Sequence, residues 1–233
     1  MKTLNNYIKN TYVTEGLFKN IGAEVVTVNT RDELSKLIKK TIEKEGPNCD
    51  LNFIDVSKIT DMSYLFAKSD FNGDISGWDV SKVEDMNWMF SNSIFGGDIS
   101  GWNVSKVKNM RCMFYGSQFN GDISNWDVSN VKGMSWMFGH SQFNGDISKW
   151  NVSGVKDMHN MFSYSKFNGD ISGWDVSNVR NMQGIFAHSE FIGNISKWDI
   201  SSVKDMSYMF YNSKLEKLNK LPGWYHKNEK VAN

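Results

Sequence analysis

Cysteine is almost missing: Cys49 and Cys112 are the only two in 233 residues, and neither sits in a CxxC pair. That excludes a disulfide framework and argues against a cysteine-based zinc site. Two prolines exclude a proline-rich stalk or linker. No window approaches the roughly 18 apolar residues of a membrane-spanning helix, and the opening MKTLNNYIKN is followed by no apolar leader segment. A soluble, unexported chain without a membrane span is expected. Charge of one sign is absent as well, with 26 Lys and Arg against 26 Asp and Glu, which removes a globally basic ligand of nucleic acid or acidic membrane. Aromatic residues, in contrast, are abundant at 14%, nine of them tryptophan, enough to fill a large core.

The aromatics are ordered. The phrase FNGDIS or a near copy recurs at Phe71, Phe95, Phe119, Phe143, Phe167 and Phe191, a period of 24 each time. Trp78, Trp102, Trp126, Trp150, Trp174 and Trp198 follow the same spacing, as do Met86, Met110, Met134, Met158, Met182 and Met206. A degenerate first copy reads CDLNFIDVSKITDMSYLF, with Ile54 in place of the tryptophan, and Leu215 holds the phenylalanine place of a last, abandoned one. Seven copies thus occupy residues 47–214. A single copy exposes half its apolar surface along the stacking direction, so only stacking buries it.

Within a copy, Phe71, Gly73 and Ile75 alternate with Asn72, Asp74 and Ser76, the period of a strand with one polar face. Val83, Met86, Met89 and Phe90 then recur at three and four residues, the period of a helical face, after Ser81 as N-cap and Glu84 as its capping-box partner. Ser105, Ser129, Ser153, Ser177 and Ser201 stand at the same capping position. The eight residues Phe71, Ile75, Trp78, Val80, Val83, Met86, Met89 and Phe90 are the inward set. The expected fold is an α/β repeat: a right-handed, leucine-rich-repeat-like solenoid with one short strand and one short helix per copy and a helical N-terminal cap.

The phrase FNGDISGWDVSKVEDMNWMFSNS resembles the repeats of BspA-like leucine-rich-repeat proteins, whose units read approximately F-N-x-D-I-S-x-W-D-V-S-N-V-x-x-M-x-x-M-F. That family is largely bacterial, surface-located or secreted, and the resemblance implies a non-catalytic binding solenoid. The opening LNNYIKNTYVTEGLFKNIG resembles the openings of proteins encoded by large bacteriophages.

Residues 1–46 leave the repeat. Leu4, Tyr7, Ile8, Tyr12, Leu17 and Phe18 suggest one or two short helices, Glu24 to Val28 a strand, and Thr30 with Glu33 the start of a helix to about Glu45. This segment is expected to cap one end of the core, and Leu215, Leu218, Leu221, Trp224 and Tyr225 of residues 215–233 the other, with a loose tail from His226.

Stacking turns each repeat position into a column, and columns are where binding residues would lie. Asp74, Asp98, Asp122, Asp146 and Asp170 form an acidic column for cations or a basic partner, unless backbone N–H groups satisfy the carboxylates. Asp79, Asn103, Asp127, Asn151, Asp175 and Asp199 swap charge for amide, which favours a hydrogen-bonding role. On a helix, Lys108, Lys132, Lys156, Arg180 and Lys204 would lie about 150° from the core direction, facing solvent. Trp88, Trp136 and Tyr208 would lie about 170° from it, exposed beside those cations, which is the composition of protein-interface anchors, unless they lie flat on neighbouring helices and cover Met and Phe.

Another protein is therefore the expected partner, bound by an intracellular protein, in the host cytoplasm if phage-encoded. A surface or virion-associated adhesin is the alternative, and a single-strand nucleic-acid binder third. His140 and His188 share a column, with about 10 Å expected between them, too far for one metal ion. No cofactor, metal site or catalytic constellation is expected.

Overall fold

The computed structural model describes residues 25–228, with side chains described to Tyr225. The helices expected around Leu4 to Phe18, and the end of the tail, lie outside the described residues. Strand β1 (Val26–Thr27) pairs in parallel with β2 (Ile54–Asp55), so the N-terminal segment adds a rung to the first copy. Helix α1 (Arg31–Glu45) follows. The Thr30 hydroxyl accepts the Glu33 N–H at 3.2 Å, and the Glu33 carboxylate accepts the Asn29 N–H at 2.9 Å, a variant of the expected capping box. Leu34, Leu37 and Ile38 of α1 enter one core with Ile54 and Val56, and Arg31 Nε donates to the Ser63 carbonyl at 2.7 Å.

Seven 24-residue copies stack from there, making this a repeat protein with few strands and helices. All eight residues of the inward set are buried. The helix of each copy, however, is not formed. Met86, Trp88, Phe90 and Asn92 donate their N–H groups to Asn109, Arg111, Met113 and Tyr115 of the next copy at 2.6–3.0 Å. Met89, Ser91 and Ser93, between them, donate three residues back at 3.2–3.3 Å. Half the donors that a helix needs for its own carbonyls are thus given to a neighbour. Trp88 (φ 58°) and Asn92 (φ 52°) are also left-handed, which no right-handed helix accepts. Overlapping turns present side chains at intervals of three and four, as a helix does, so the periodicity of Val83 to Phe90 was right while the element was not.

The FNGDIS segment departs from a strand in a different way. Its alternation of buried Phe71, Gly73 and Ile75 with exposed Asn72 and Asp74 is as expected, but among later copies a backbone bond joins this side only just before the phrase, as from the Gln118 N–H to the Ser93 carbonyl at 3.1 Å, and no ladder continues through it. Asparagine side chains bridge it instead: the Asn72, Asn120, Asn144 and Asn168 amide oxygens accept the N–H of Gly96, Asn144, Asn168 and Ile192 at 2.7–2.8 Å. Ring centroids in the Phe71 column stand 6.0–6.4 Å apart, against 5.5–5.9 Å in the Phe90 column beside the turn ladder. The copies stand farther apart here than at the turn ladder, and the asparagine side chain spans the difference. The glycine of the phrase is steric: a Cβ on Gly121 would meet the Phe119 ring at 2.9 Å.

The tryptophans pin each copy to the previous one. Trp78, Trp102, Trp126, Trp150, Trp174 and Trp198 are buried, and their indole N–H groups donate to the carbonyls of Leu51, Ile75, Ile99, Ile123, Ile147 and Ile171 at 3.0–3.2 Å. Three turns per copy are built on Asp or Asn, except in the copy where Gly133 takes the third position. Asp74, Asp98, Asp122, Asp146 and Asp170 each accept the N–H of the serine two residues on at 2.9 Å. The column from Asp79 to Asp199 accepts from Ser81 to Ser201 at 3.0–3.2 Å, so those serines are turn residues and not the helix N-caps expected of them. Asp85, Asn109, Asp157, Asn181 and Asp205 repeat the device at 2.8–3.2 Å.

Past the last copy come α2 (Lys214–Lys217), capped by the Ser213 hydroxyl, and α3 (Gly223–Asn228). Leu215 is buried, and Leu221, Trp224 and Tyr225 pack on the core; Leu218, expected to join them, is exposed because it faces away at the end of α2. Trp224 donates its indole N–H to the Ile195 carbonyl at 3.1 Å, the bond that a further repeat tryptophan would make.

Truncating Trp126 to Ala should cost about 3–5 kcal/mol in denaturant unfolding, since it removes a buried ring and orphans a carbonyl. Trp136→Ala, half-buried with two ring contacts, should cost less, about 1–3 kcal/mol at roughly 0.5–1.5 kcal/mol for each contact. In the acidic column, the serine N–H groups hold the carboxyls of Asp74, Asp98, Asp122, Asp146 and Asp170 below the usual carboxylate range, against weaker opposition from neighbouring aspartates at several of them. A lowered folded pKa stabilises above the unfolded value of about 3.9 and is lost as pH falls through the folded value. The melting temperature should therefore hold from pH 7 to about 5 and drop below about pH 4. Asp122→Asn, which keeps the acceptor as Asn194 does in the same column, should leave melting at pH 7 unchanged and soften the acid drop.

Candidate interaction surface

The turn ladder decides which side chains leave the core. Two positions per copy are left-handed, with φ between 52° and 63°: the column Tyr64, Trp88, Cys112, Trp136, Asn160, Gly184, Tyr208, and the column Lys68, Asn92, Gly116, His140, Tyr164, His188, Asn212. Each non-glycine residue there costs on the order of 1–2 kcal/mol, set against the paired N–H bonds of the ladder. Their side chains project onto one surface, joined by Tyr115 and Tyr211 from the column just before the second.

The result is a continuous chain of rings along the array. Tyr64 stacks on Trp88 at 5.8 Å, and Trp88 meets Tyr115 at 5.8 Å. Tyr115 meets Trp136 edge-on at 5.6 Å, and Trp136 stacks on His140 at 6.2 Å. His140, Tyr164 and His188 form a face-to-face stack at 4.4 and 4.2 Å, and His188 meets Tyr211 at 5.3 Å beside Tyr208. Tyr64, Tyr164, Tyr208 and Tyr211 are exposed, Tyr208 most of all at 66%. Trp88 and Trp136, expected to face outward from a helix, are half-buried because they lean on these neighbours.

Cys112, in the same column, is buried, and burial pushes its thiol up to about 11, against a weaker pull from Arg111, so it carries no reactive thiolate. Burial, reinforced by His188, lowers the pKa of His140 and favours the neutral ring in the stack. The Asn212 amide nitrogen lies 2.8 Å from His188 Nδ1.

The basic column forms as expected in exposure but differently in structure. Lys108, Lys132, Lys156, Arg180 and Lys204 are exposed, and each donates its backbone N–H to the same position of the previous copy at 2.8–3.0 Å. Lys108 pairs with Glu84 at 2.8 Å; among the described residues the other four have no ion-pair partner, and none sits over a ring. The structure thus brings Trp88, Trp136 and Tyr208 together with other rings and not with these cations. The acidic column is committed to its turns by one oxygen of each carboxylate.

Six members of the ring chain, Tyr64, Tyr115, His140, Tyr164, His188 and Tyr211, were not singled out from sequence as binding residues. The signal was present, since Tyr164 stands 24 residues from each histidine. Among the described residues no three His, Cys, Asp or Glu side chains are placed to hold a metal ion, and no helix is long and apolar enough to cross a membrane.

No curated protein and no solved structure matches the chain. One family model does, over two overlapping stretches, residues 33–143 and 118–224, which together run from within α1, through the copies, into the C-terminal cap. The chain belongs to the family described as Mycoplasma protein of unknown function, DUF285, also known as a BspA-like repeat region.

Proposed function

We propose that the array is a right-handed, leucine-rich-repeat-like solenoid and that it acts, without catalysis, by binding another protein along the ring chain. The observation that carries this reading is the continuity of that chain: ring contacts run from Tyr64 to Tyr211, with four tyrosines exposed. Tyrosine gives large contact area at low entropic cost, with a hydroxyl to hydrogen-bond a partner. Bases and sugars need free ring faces, whereas here most faces are covered by the next ring, with interplanar angles of 6–10° in the Tyr64–Trp88 and Trp136 to His188 stacks. Edges and hydroxyls remain, which suit a polypeptide surface.

The test is capture from a native cell lysate by three immobilised forms of comparable melting temperature. A protein held by the wild type should be lost by the Tyr164→Ser/Tyr208→Ser/Tyr211→Ser variant and kept by Lys132→Glu/Lys156→Glu. The opposite pattern, with binding abolished by moderate salt, would move the site to the basic column and away from the rings.

A further inference from the structure

The third Asp or Asn turn of each copy is missing once. Asp61, Asp85, Asn109, Asp157, Asn181 and Asp205 stand in one column, and Oδ1 of each accepts the N–H two residues on at 2.8–3.2 Å. Gly133 holds that place in the remaining copy. Its backbone keeps the ladder, with the Met110 N–H on the Gly133 carbonyl at 3.1 Å and the Met134 N–H on the Asp157 carbonyl at 2.9 Å. Only the acceptor oxygen is gone.

Its loss strands two donors on Ser135. That residue is fully buried, and among the described residues neither its N–H nor its hydroxyl has a hydrogen-bond partner. The buried hydroxyls of Ser93 and Ser117 are unpartnered too, but those residues donate their N–H groups to the Phe90 and Phe114 carbonyls at 3.3 and 3.1 Å. Ser135 lacks both bonds, although a buried donor is ordinarily satisfied. Room for an acceptor begins at Gly133, which is half-exposed. The nearest atoms to a Cβ there would be Arg111 Cγ at 3.4 Å, Arg111 Cδ at 3.7 Å and Asn109 Oδ1 at 4.0 Å, all ordinary contacts and the closest of them on an exposed, flexible side chain.

The surroundings are cationic. Arg111 lies along Gly133, and Lys132 and Lys156 stand exposed beside it; none of the three has an ion-pair partner among the described residues. Asp157, the next carboxylate along the column, is already engaged, since its Oδ1 accepts the His159 N–H at 3.1 Å and lies 2.7 Å from His159 Nδ1. We propose that Gly133 marks a binding site for a carboxylate group, free or carried by a polypeptide. One carboxylate oxygen takes the place of the missing acceptor and receives both Ser135 donors, while Arg111 turns outward to admit the group and closes on its second oxygen. The template is in the molecule itself: at Ser207, the equivalent of Ser135, Asp205 Oδ1 accepts the N–H at 2.9 Å and the hydroxyl at 2.7 Å. The site lies outside the ring chain and does not rest on the protein-binding reading.

The full chain, isotopically labelled, would be titrated with sodium acetate, and with sodium chloride and acetamide as controls at constant ionic strength, while the Ser135 amide is followed by heteronuclear NMR. A saturable downfield movement of the Ser135 N–H is expected with acetate and with neither control. Gly133→Asp is the informative variant, because it returns to Ser135 the oxygen that Asp205 gives Ser207. Its Ser135 amide should lie downfield before any acetate is added and stay there afterwards, with a melting temperature equal to or above that of the wild type. Arg111→Gln should weaken acetate about three- to tenfold while leaving the Ser135 position at saturation unchanged.

An end-blocked peptide with a single aspartate separates the two sources of the carboxylate. Clearly tighter binding than acetate assigns it to a polypeptide and equal affinity to a free anion, and either result supports the site. No saturable movement of Ser135, or the same movement with acetamide, overturns the proposal. Movement with inorganic phosphate but not with acetate makes the ligand a phosphate and overturns it equally. So does acetate binding of undiminished affinity in Gly133→Asp. Should that variant fail to fold, the wild-type titration still decides, because chloride and acetamide are controls within it.

Discussion

The alternation of backbone donors along the turn ladder is the constraint on which the remainder rests. One N–H of each pair closes a turn within its own copy and the other reaches the next copy, from Met62 and Asp85 at the first junction to His188 and Tyr211 at the last. Because each of these bonds joins a position to the residue just before its equivalent in the next copy, as Met62 to Asp85 and Met86 to Asn109, the repeat length cannot drift: an added residue would put every later N–H opposite the wrong carbonyl. This is why the 24-residue period has no insertion. It is also why identical side chains fall on top of one another, giving the Phe, Trp and Met columns of the core and the ring columns outside.

The same bonds separate what was legible in the sequence from what was not. All eight core positions of a copy were readable, because burial follows the spacing of apolar residues whichever element produces that spacing. The identity of the element was not readable from Val83, Met86, Met89 and Phe90 alone. The missing information lay in the donors: whether Met86 N–H serves its own turn or Asn109 of the next copy is a tertiary fact. One local clue did exist. The column Tyr64, Trp88, Cys112, Trp136, Asn160, Gly184, Tyr208 mixes glycine and asparagine with aromatics, and the column at Asn92 does so again; a position that accepts glycine and asparagine from copy to copy marks a left-handed turn more than a helix.

Substitution within columns reports what each one does. Aspartate and asparagine exchange at Asp79, Asn103, Asp127 and Asn151, and at Asp85, Asn109, Asp157 and Asn181, because the turn asks only for an acceptor oxygen two residues before a free N–H. Carboxylates that recur without a charge partner are therefore explained by backbone satisfaction before any cation is invoked. The basic column differs. Among the described residues, the heads of Lys132, Lys156, Arg180 and Lys204 have no ion-pair or hydrogen-bond partner, and only their backbone takes part in the rungs. The outer ring columns differ again, because their members vary from copy to copy while the backbone holds its angle, so shape along that surface is set by side chains alone.

Ending such an array is as demanding as repeating it, since a stacked core presents an open face and unpaired backbone groups at both ends. At the first end, β1 supplies a parallel partner for β2, with Val26 N–H donating to the Phe53 carbonyl at 2.9 Å, and α1 lays Leu34, Leu37 and Ile38 over the apolar face. At the other end the solution is imitation. Ser213 begins as a repeat serine, with its N–H on the Phe210 carbonyl, but its hydroxyl then caps α2 and diverts the chain from another turn ladder. Leu215 fills the phenylalanine place, and Trp224 delivers an indole N–H to Ile195 from a different backbone path. The last copy thus receives the two contacts that a further copy would make, its ring-sized apolar neighbour and its indole donor, from a segment whose own outer face has no repeat to offer.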